Sequence, residues 1–438
     1  MSAPTQFQRD TPTRSALKLL LWLSIVLAGA EFTVRGPVRF LQIPNDWNDL
    51  SQNYAASKLW LKGRSPADPG NFVALWKQES GSRLDLNDVR THLAPPLGGL
   101  IVLAPIAVFH FKTAKMIWLV VLLLAFVATV LSLIKAGGLR WGELRTLAFV
   151  AACLALAPFQ TGIGSGNATV LVIGLCALAI GAATENHDIS AGFLFGLSCS
   201  LKPQIGAFLV LYYLMRRRWQ LFVTAVSTAI GLIVVAALYL QLRGTSWLQD
   251  YLHNAQGFVT SNHIDDFSSA NPSRFTLINL QVPLFSITGQ SSLANWLAFG
   301  VVGVLLCVWL YWVGKGSSRG SAMLALGAIS VVALLPVYHR FYDAGLLAVP
   351  LCWCVTNAAD MSKSTIRIVL LLMAPFLFPG AAFLQQLVVH GHISDTVANS
   401  WWWNCVVMPH ESWALLLLCL LLLYRMKLAA SHRLKATP

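Results

Sequence analysis

The feature that most constrains this chain is the recurrence of long, nearly uncharged apolar stretches. Two clear examples are residues 116–134 and 220–242, each long enough to cross a hydrocarbon core of about 30 Å as a helix. Only 11% of the 438 residues are charged, whereas soluble proteins carry about 25%. The sequence therefore predicts an all-α polytopic membrane protein with about 12 transmembrane helices, within a range of 10–13.

The basic residues lie in short turns between the apolar stretches and give the chain a net charge of +13. Residues 135–145, residues 216–218 and the C-terminal tail are examples. Basic turns of this kind remain in the cytoplasm beside anionic lipid, so we expect the bilayer as a partner and no nucleic acid. The N-terminal segment 1–14 is also basic, and the apolar run at 15–34 is too long for a signal peptide and is interpreted as a retained first helix.

Two polar segments interrupt the apolar pattern and are predicted to lie on the outer side of the membrane. The stretch at 95–111 is short and contains Pro105. It is taken as interfacial because a crossing there would move the next basic turn to the outer side. The predicted regions are a cytoplasmic N-terminus (1–14), the first transmembrane helix (15–34), an outer catalytic loop with interfacial helices (35–111), a transmembrane core (112–242), a second outer loop (243–292), C-terminal transmembrane helices (293–428) and a cytoplasmic tail (429–438).

The first outer loop is rich in acidic residues, which suits a polar ligand or acid–base chemistry. Of the 18 acidic residues in the chain, this loop contains Asp46, Asp49, Asp68, Glu79, Asp85 and Asp88.

A helix beginning at Asp49 would present an acid, an amide and an indole along one stripe. The residues of that stripe are Asp49, Asn53 and Trp60, and Asp46 lies about one turn earlier as a rival acid. Such a helix would suit the membrane interface. Its neighbouring apolar face would hold Leu50, Tyr54, Ser57 and Leu61.

The apolar run at 191–215 is broken by Leu201-Lys202-Pro203. Proline interrupts a helix, so the chain is expected to rise and return as two short helices with Lys202 near the turn. A lysine at this depth is costly unless an anion meets it. Further outward-facing cations are Arg274, His339 and Arg340.

Each of these residues also has a structural interpretation that the sequence leaves open. Asp49 could cap the helix that it precedes, and Lys202 could extend its amine to the interface. His339 could be a satisfied interfacial histidine, and His92 could simply flank an interfacial helix. Residues 401–403, three successive tryptophans, are typical of an interfacial aromatic belt.

Several short motifs follow one another along the chain. They are Asp49-(four residues)-Tyr54-Ala-Ala-(six)-Gly63-(two)-Pro66, Pro95-Pro96-Leu97, Gly164-Ser-Gly-Asn167 and Ala191-Gly192-(three)-Gly196-Leu197-(three)-Leu201-Lys202-Pro203-Gln204. Together they resemble glycosyltransferase family 87, which belongs to the C-type superfamily of polytopic, lipid-carrier-dependent glycosyltransferases. The resemblance covers residues from about 40 to 345, and it departs from the family pattern at Leu50 and at Ser165-Gly166.

The resemblance implies transfer of a sugar, often mannose, from a polyprenyl-phosphate donor to a hydroxyl of a glycan or glycolipid acceptor. It also implies a multi-pass protein, for which we predict a bacterial inner (plasma) membrane and an active site facing the periplasm or exterior. The family's general base falls on Asp49, with Asp46 as the alternative acid, and a single base of this kind would invert the anomeric centre. The cations expected at the donor phosphate are Lys202, Arg274, His339 and Arg340.

No cofactor and no metal site are expected, because no Walker motif, GxGxxG fingerprint, HExxH or CxxC pair occurs in the sequence. The predicted substrate-binding residues are Asn53, Tyr54, Trp60, His92, Asn167 and Gln204.

Two rival functions fit a polytopic chain. A transporter or flippase of a lipid-linked saccharide would carry charges in mid-span positions and repeated halves, and we find neither repeats nor many such charges. An enzyme that ligates or polymerises glycans from a diphosphate carrier would have its large outer loop late in the chain, whereas here it follows the first helix.

Overall fold

A computed structural model describes residues 12–42, 49–80, 95–258, 265–315 and 319–434. These residues form helices, and no β-strand occurs among them beyond an isolated bridge between Leu277 and Arg340. The first α-helices are α1 (Pro12–Thr33), α2 (Arg39–Gln42), α3 (Asp49–Leu61), α4 (Pro69–Ser80), α5 (Leu97–Ala107), α6 (Phe111–Ala136), α7 (Leu144–Ala155), α8 (Ala157–Ser165), α9 (Thr169–Thr184), α10 (Asp188–Leu201) and α11 (Pro203–Met215). The remaining α-helices are α12 (Trp219–Leu242), α13 (Trp247–Phe258), α14 (Gln281–Thr288), α15 (Ser291–Lys315), α16 (Arg319–Ala333), α17 (Ala348–Thr356), α18 (Lys363–Met373), α19 (Gly380–Val389), α20 (Asp395–Ala398) and α21 (His410–Leu434).

Short π- and 3₁₀-helices connect several of these elements. The π-helices are Val34–Val38 and Trp403–Val407, and the 3₁₀-helices are Arg274–Thr276, Phe341–Leu347 and Ala374–Leu377.

Five helices among the described residues are long and apolar enough to cross a membrane, and two bent helix pairs raise the number to seven if each counts as one span. The chain is therefore an integral multi-pass membrane protein, as predicted, while twelve crossings remain a prediction. The five helices are Pro12–Gln42, Phe111–Ala136, Trp219–Leu242, Ser291–Lys315 and His410–Ser431, and the bent pairs are Leu144–Ala155 with Ala157–Ser165 and Lys363–Leu377 with Gly380–Val389.

The chain forms a helical hairpin at α10 and α11, with Lys202 at its apex. Lys202 has φ −150° and ψ 81°, which breaks the helix before Pro203. The open end is closed where Arg218 Nε donates to Asp188 Oδ1 over 2.9 Å. Each arm is about 20 Å long at 1.5 Å per residue, which is shorter than a hydrocarbon core of about 30 Å. The predicted pair of short helices is thus confirmed.

The helix ends beside Arg218 lie with other basic turns, and we call this side of the molecule the basic face. Lys135 pairs with Glu185 over 2.6 Å, which joins the end of α6 to the end of α9. Arg145 Nη1 donates to the carbonyl of Thr356 at the end of α17 over 3.1 Å. Consequently α9, α10 and α11 run from the basic face and have their opposite ends deep in the protein.

Close helix packing depends on small residues, as is usual where lipid supplies no hydrophobic drive between helices. Gly192 and Gly196 face α12, where an added Cβ would come within 2.5 Å of the Leu221 carbonyl and of Thr228 Cβ, respectively. Gly99 likewise brings α5 onto the apex of the hairpin, because its Cβ would lie 3.0 Å from the carbonyl oxygen of Ser200. These contacts fix α5, α10 and α12 around Lys202.

The helices α3, α4 and α5, which lie in the predicted first outer loop, are tied together by a buried polar group. Tyr54 Oη donates to Glu79 Oε2 over 2.9 Å and lies 2.8 Å from the Phe109 carbonyl oxygen, and Lys58 pairs with Glu79 over 3.0 Å. Burial raises the pKa of Tyr54, and the Glu79 carboxylate adds to this. Although burial opposes it, the bonds from Lys58 and Tyr54 lower the pKa of Glu79.

The predicted apolar face of α3 is only partly correct. Leu50, Tyr54 and Ser57 are buried, but Leu61 is 36% exposed. Leu61 is the last residue of the helix and extends beyond the helices that cover the rest of that face.

Candidate active site

The carboxylate of Asp49 is held by a residue far away in sequence. Asp49 is the first described residue of α3, and its Oδ2 accepts a hydrogen bond of 2.8 Å from Asn167 Nδ2. Asn167 Oδ1 in turn accepts from the backbone N–H of Thr169 over 2.9 Å. The first outer loop and the turn before α9, both singled out in the sequence, therefore meet at this carboxylate.

Glycines make the turn before α9 fit. Gly166 has φ +71°, a left-handed conformation that suits glycine. A Cβ at Gly166 would lie 2.6 Å from Phe40 Cε2 and 3.1 Å from Leu50 Cβ. The carbonyl of Gly166 accepts a 2.8 Å hydrogen bond from the indole of buried Trp118. The turn is thus locked between α2, α3 and α6, and this fixes the position of Asn167.

Gly166→Ala should destabilise the protein more than Gly138→Ala does. Both glycines have nearly the same positive φ, but nothing lies within 4 Å of a Cβ at Gly138. The left-handed strain of about 1–2 kcal/mol is therefore common to both variants, and only Gly166→Ala adds the clash with Phe40. Thermal unfolding in detergent measures the difference, and equal shifts in Tm would show that the turn is not tightly packed.

Beside this turn lies a buried group that we call the Asp343 cluster, formed by Asp343, Lys202, Thr169 and His339. Asp343 Oδ1 accepts from Lys202 Nζ over 2.5 Å and from Thr169 Oγ1 over 2.7 Å. Asp343 Oδ2 lies 3.0 Å from His339 Nδ1. The side chains of His339 and Asp343 are fully buried, and that of Lys202 is 14% exposed.

The backbone of Arg340 belongs to the surroundings of the Asp343 carboxylate. Its backbone N–H donates to Asp343 Oδ2 over 3.1 Å, while its guanidinium lies 5.9 Å from the ring centroid of Tyr338. Although burial disfavours its charge, the ionisable groups around it, Tyr338 and Tyr342 ahead of Asp49, raise the pKa of Arg340. Burial also raises the pKa of Tyr338 to about 12, so this phenol stays protonated near neutral pH.

Three of the predicted site residues have their contacts elsewhere. Tyr54 belongs to the polar group that joins α3 to α4 and α5. Trp60 donates to the carbonyl of Ala236 over 3.2 Å, and it lies about 16 Å along the helix from Asp49 at 1.5 Å per residue. The spacing places Asp49 and Trp60 on one stripe, as expected, but too far apart for one small pocket.

Arg274 is the third of these residues. Its guanidinium lies 4.5 Å from the ring centroid of Phe275 and 5.9 Å from that of Phe285, and burial lowers its pKa. Its Nη2 makes a long 3.4 Å contact with Asn404 Oδ1. The backbone of this loop contacts the site, where the N–H of Ile278 donates to the carbonyl of His339 over 2.9 Å.

The remaining predicted residues fall into two groups. Asn53 is half-buried one turn after Asp49, and Gln204 is half-buried two residues after Lys202. Asp46 and His92 lie outside the described residues.

The tryptophans at 401–403 divide between two environments. Trp401 and Trp402 are exposed at 64% and 49%, whereas Trp403 is buried. The exposed pair fits the predicted interfacial belt, and Trp403 instead packs into a second apolar cluster with Phe275 and Met408.

Sequence reasoning did not select Asp343 or Thr169 as site residues. Asp343 had a detectable signal, because it lies four residues after His339 and directly before the apolar run that contains α17. An acid at such a border needs a partner. Thr169 gave no signal, since a threonine at the start of an apolar helix is ordinary.

An apolar cleft of about 290 Å³ lies beside the hairpin, between α11 and α12. Its lining residues include Val210, Leu214, Phe222 and Ile230. A cleft with such walls suits an aliphatic chain rather than a sugar.

The sequence profile of glycosyltransferase family 87 matches residues 95–350, which is more than half of the chain. The chain belongs to glycosyltransferase family 87. The match includes Asn167, Lys202, His339 and Asp343, while Asp49 lies before its first residue. No curated protein and no solved structure matched the sequence.

Membership in glycosyltransferase family 87 makes this chain a membrane glycosyltransferase, and a hexosyltransferase as predicted. Its partners are thus a sugar donor, an acceptor and the bilayer. The alternative of a flippase or transporter loses its support, because the family is defined by a transfer reaction.

Proposed function

We propose that this glycosyltransferase transfers a hexose, with mannose as the first candidate, from a polyprenyl-phosphate donor to a hydroxyl of a glycan or glycolipid. The observation that carries the proposal is the meeting of Asp49 with the Asp343 cluster through Asn167 and Thr169. Asp49 has one carboxylate oxygen that no described residue bonds, and Asn167 and Thr169 join it to the cluster that contains Lys202. This is the combination that a base and a phosphate leaving group need.

In the proposed reaction Asp49 is the general base. The acceptor O–H bond breaks as Asp49 takes the proton, while a bond forms between the acceptor oxygen and the anomeric carbon. The bond from that carbon to the phosphate oxygen breaks on the opposite face, so the anomeric configuration inverts. The polyprenyl phosphate departs with one more negative charge than it had in the donor.

Arg340 would link the two halves of this step. Protonation of Asp49 would remove the negative charge that, together with the effects of Tyr338 and Tyr342, favours the charged form of Arg340. In the same step the leaving phosphate gains negative charge. The positive charge of the guanidinium can then stabilise the phosphate instead of Asp49. Charge placed in advance around a developing anion stabilises the transition state without reorganisation. Lys202 would supply a second positive charge.

The position of the donor follows from the membrane. Positively charged turns favour the cytoplasm, so we assign the basic face to the cytoplasm and the outer loops to the periplasm or exterior of a bacterial inner membrane. The apolar cleft beside α11 would hold part of the prenyl chain, with the phosphate near the apex of the hairpin.

The experiment is a transfer assay with the full chain in proteoliposomes. Radiolabelled polyprenyl-phosphate mannose, polyprenyl-phosphate glucose and a nucleotide-linked mannose are each supplied with a panel of glycolipid and oligosaccharide acceptors. We expect label in the product only from a polyprenyl monophosphate, with inverted anomeric configuration by NMR. Transfer from the nucleotide sugar alone, or from none of these donors, would contradict the proposal.

A further inference from the structure

The carboxylate of Asp343 is fully used by the protein itself. An ionised carboxylate accepts about four hydrogen bonds, and Asp343 receives four, from Lys202 Nζ, Thr169 Oγ1, His339 Nδ1 and the Arg340 N–H. Its side chain is fully buried. Asp343 therefore has no oxygen left for a substrate, and any role it has in transfer must pass through the groups that it holds.

Two of those groups keep a hydrogen-bonding position that no described residue fills. The Lys202 ammonium has three donors, of which two meet Asp343 and Thr169. The imidazole of His339 is fully buried, and its Nε2 has no hydrogen-bond partner among the described residues. A buried nitrogen without a partner costs free energy, which a ligand would recover.

The bond to Asp343 also determines what His339 can offer. A carboxylate only accepts hydrogen bonds, so the contact over 3.0 Å keeps the proton on Nδ1 of His339. In the imidazolium form both ring nitrogens carry a proton, so Nε2 is a hydrogen-bond donor. His339 and Lys202 can then both donate to one anion.

We propose that Asp343 is a positioning residue for transfer, which holds the Lys202 ammonium and the His339 imidazole so that both donate to the phosphate of the donor. The inference rests on the proposed function and adds a residue that contacts no substrate. It explains why a carboxylate lies fully buried here, where stability alone gives little reason for one, since apolar replacements of buried ion pairs are often neutral or stabilising.

The test uses Asp343→Glu, which keeps the charge but displaces the carboxylate by one methylene. We expect kcat/KM for the donor to fall about 100-fold, since displacements of about 1 Å in a reacting geometry cost that much. The donor KM should rise and kcat should fall, while the acceptor KM stays constant. Binding of undecaprenyl phosphate to the protein in nanodiscs should weaken in parallel. Asp395→Asn is the control, because Asp395 is an exposed acid outside the site.

A purely structural role for Asp343 would give a different pattern. It would lower the amount of active protein and leave the donor KM and the undecaprenyl phosphate Kd unchanged, which would overturn the inference. A second measurement repeats Asp343→Glu in a Lys202→Met, His339→Gln background. There the substitution should no longer alter undecaprenyl phosphate binding, because residues that act as a unit are not additive. If Asp343→Glu weakens undecaprenyl phosphate binding in that background as much as it does in the wild type, the inference is also overturned.

Failure of the proposed function gives a distinct result. In that case the wild-type protein neither binds undecaprenyl phosphate nor uses a polyprenyl-phosphate sugar. If the wild-type protein binds undecaprenyl phosphate and Asp343→Glu binds it equally well, the positioning role is refuted but the proposed function is not. If Asp343→Glu does not fold, Asp343→Asn serves instead: it retains a carbonyl acceptor but loses the charge, and the same changes in donor KM and undecaprenyl phosphate Kd are expected.

Discussion

Replacing Asp49 by asparagine should abolish measurable sugar transfer while the protein remains folded. The amide can still accept the hydrogen bond from Asn167, so the contact between α3 and the turn before α9 persists. It cannot take a proton from the acceptor. Since a general base contributes about 10²- to 10⁴-fold, kcat should fall by that factor, with little change in donor KM. Steady-state transfer in proteoliposomes measures both constants.

Two further variants make the Asp49 result decisive. Asp46→Asn tests the rival acid of the same loop, and Asp395→Asn tests an exposed acid outside the site. Both should retain near wild-type kcat. If Asp49→Asn turns over normally while Asp46→Asn does not, the general base is Asp46, and if neither variant loses activity the base lies outside this loop.

Removing the Lys202 ammonium should damage both stability and donor use. Lys202→Ala leaves the fully buried Asp343 carboxylate without its ion-pair partner, and breaking a buried pair costs about 3–5 kcal/mol. A hydrogen bond to a charged group contributes about 1.5–3 kcal/mol, so kcat/KM for the donor should fall about 10- to 100-fold. Thermal unfolding and transfer kinetics at varied donor concentration separate the two effects.

The chain offers a matched control in Lys135, which also forms an ion pair but at the surface. Its side chain is 60% exposed and that of Glu185 is 42% exposed, so Lys135→Ala should change Tm very little. The double variant Lys202→Met, Asp343→Asn should regain stability because no unpaired buried charge remains, yet it should not regain donor use. Unchanged donor KM and kcat in Lys202→Ala would exclude Lys202 from the phosphate site.

Much of the local structure was readable from the sequence. The break at Lys202-Pro203 follows from the geometry of proline, and α3 begins among the described residues at Asp49 as expected. The contact of Asn167 with Asp49 joins two segments that both appeared in the family motifs. These features depend on a few neighbouring residues, so a pattern in the sequence is sufficient to predict them.

Other expectations failed because side-chain direction depends on what packs against a helix. The alignment of Trp60 with Asp49 on one stripe was correct by periodicity, but the two are separated along the helix axis and Trp60 bonds to α12. Arg274 lies in the segment predicted to be the second outer loop, and its guanidinium stacks on Phe275 and Phe285. The polar character of the two segments that carry Trp60 and Arg274 could be predicted, whereas the partners of these side chains could not.

By itself, the sequence determined that this protein resides in a membrane, that its polar chemistry gathers in a few segments, and that a lysine interrupts a short helical hairpin. The tertiary structure decided which of those polar groups meet. Thr169, Lys202 and Asp343 come from three distant segments, and the neighbouring helices α9, α10 and α11 are apolar on nearly all sides and so show no amphipathic period that could reveal a partner. Their assembly depends on close contact at small residues and on the high cost of leaving a buried charge unpaired, and both act only once the helices have packed.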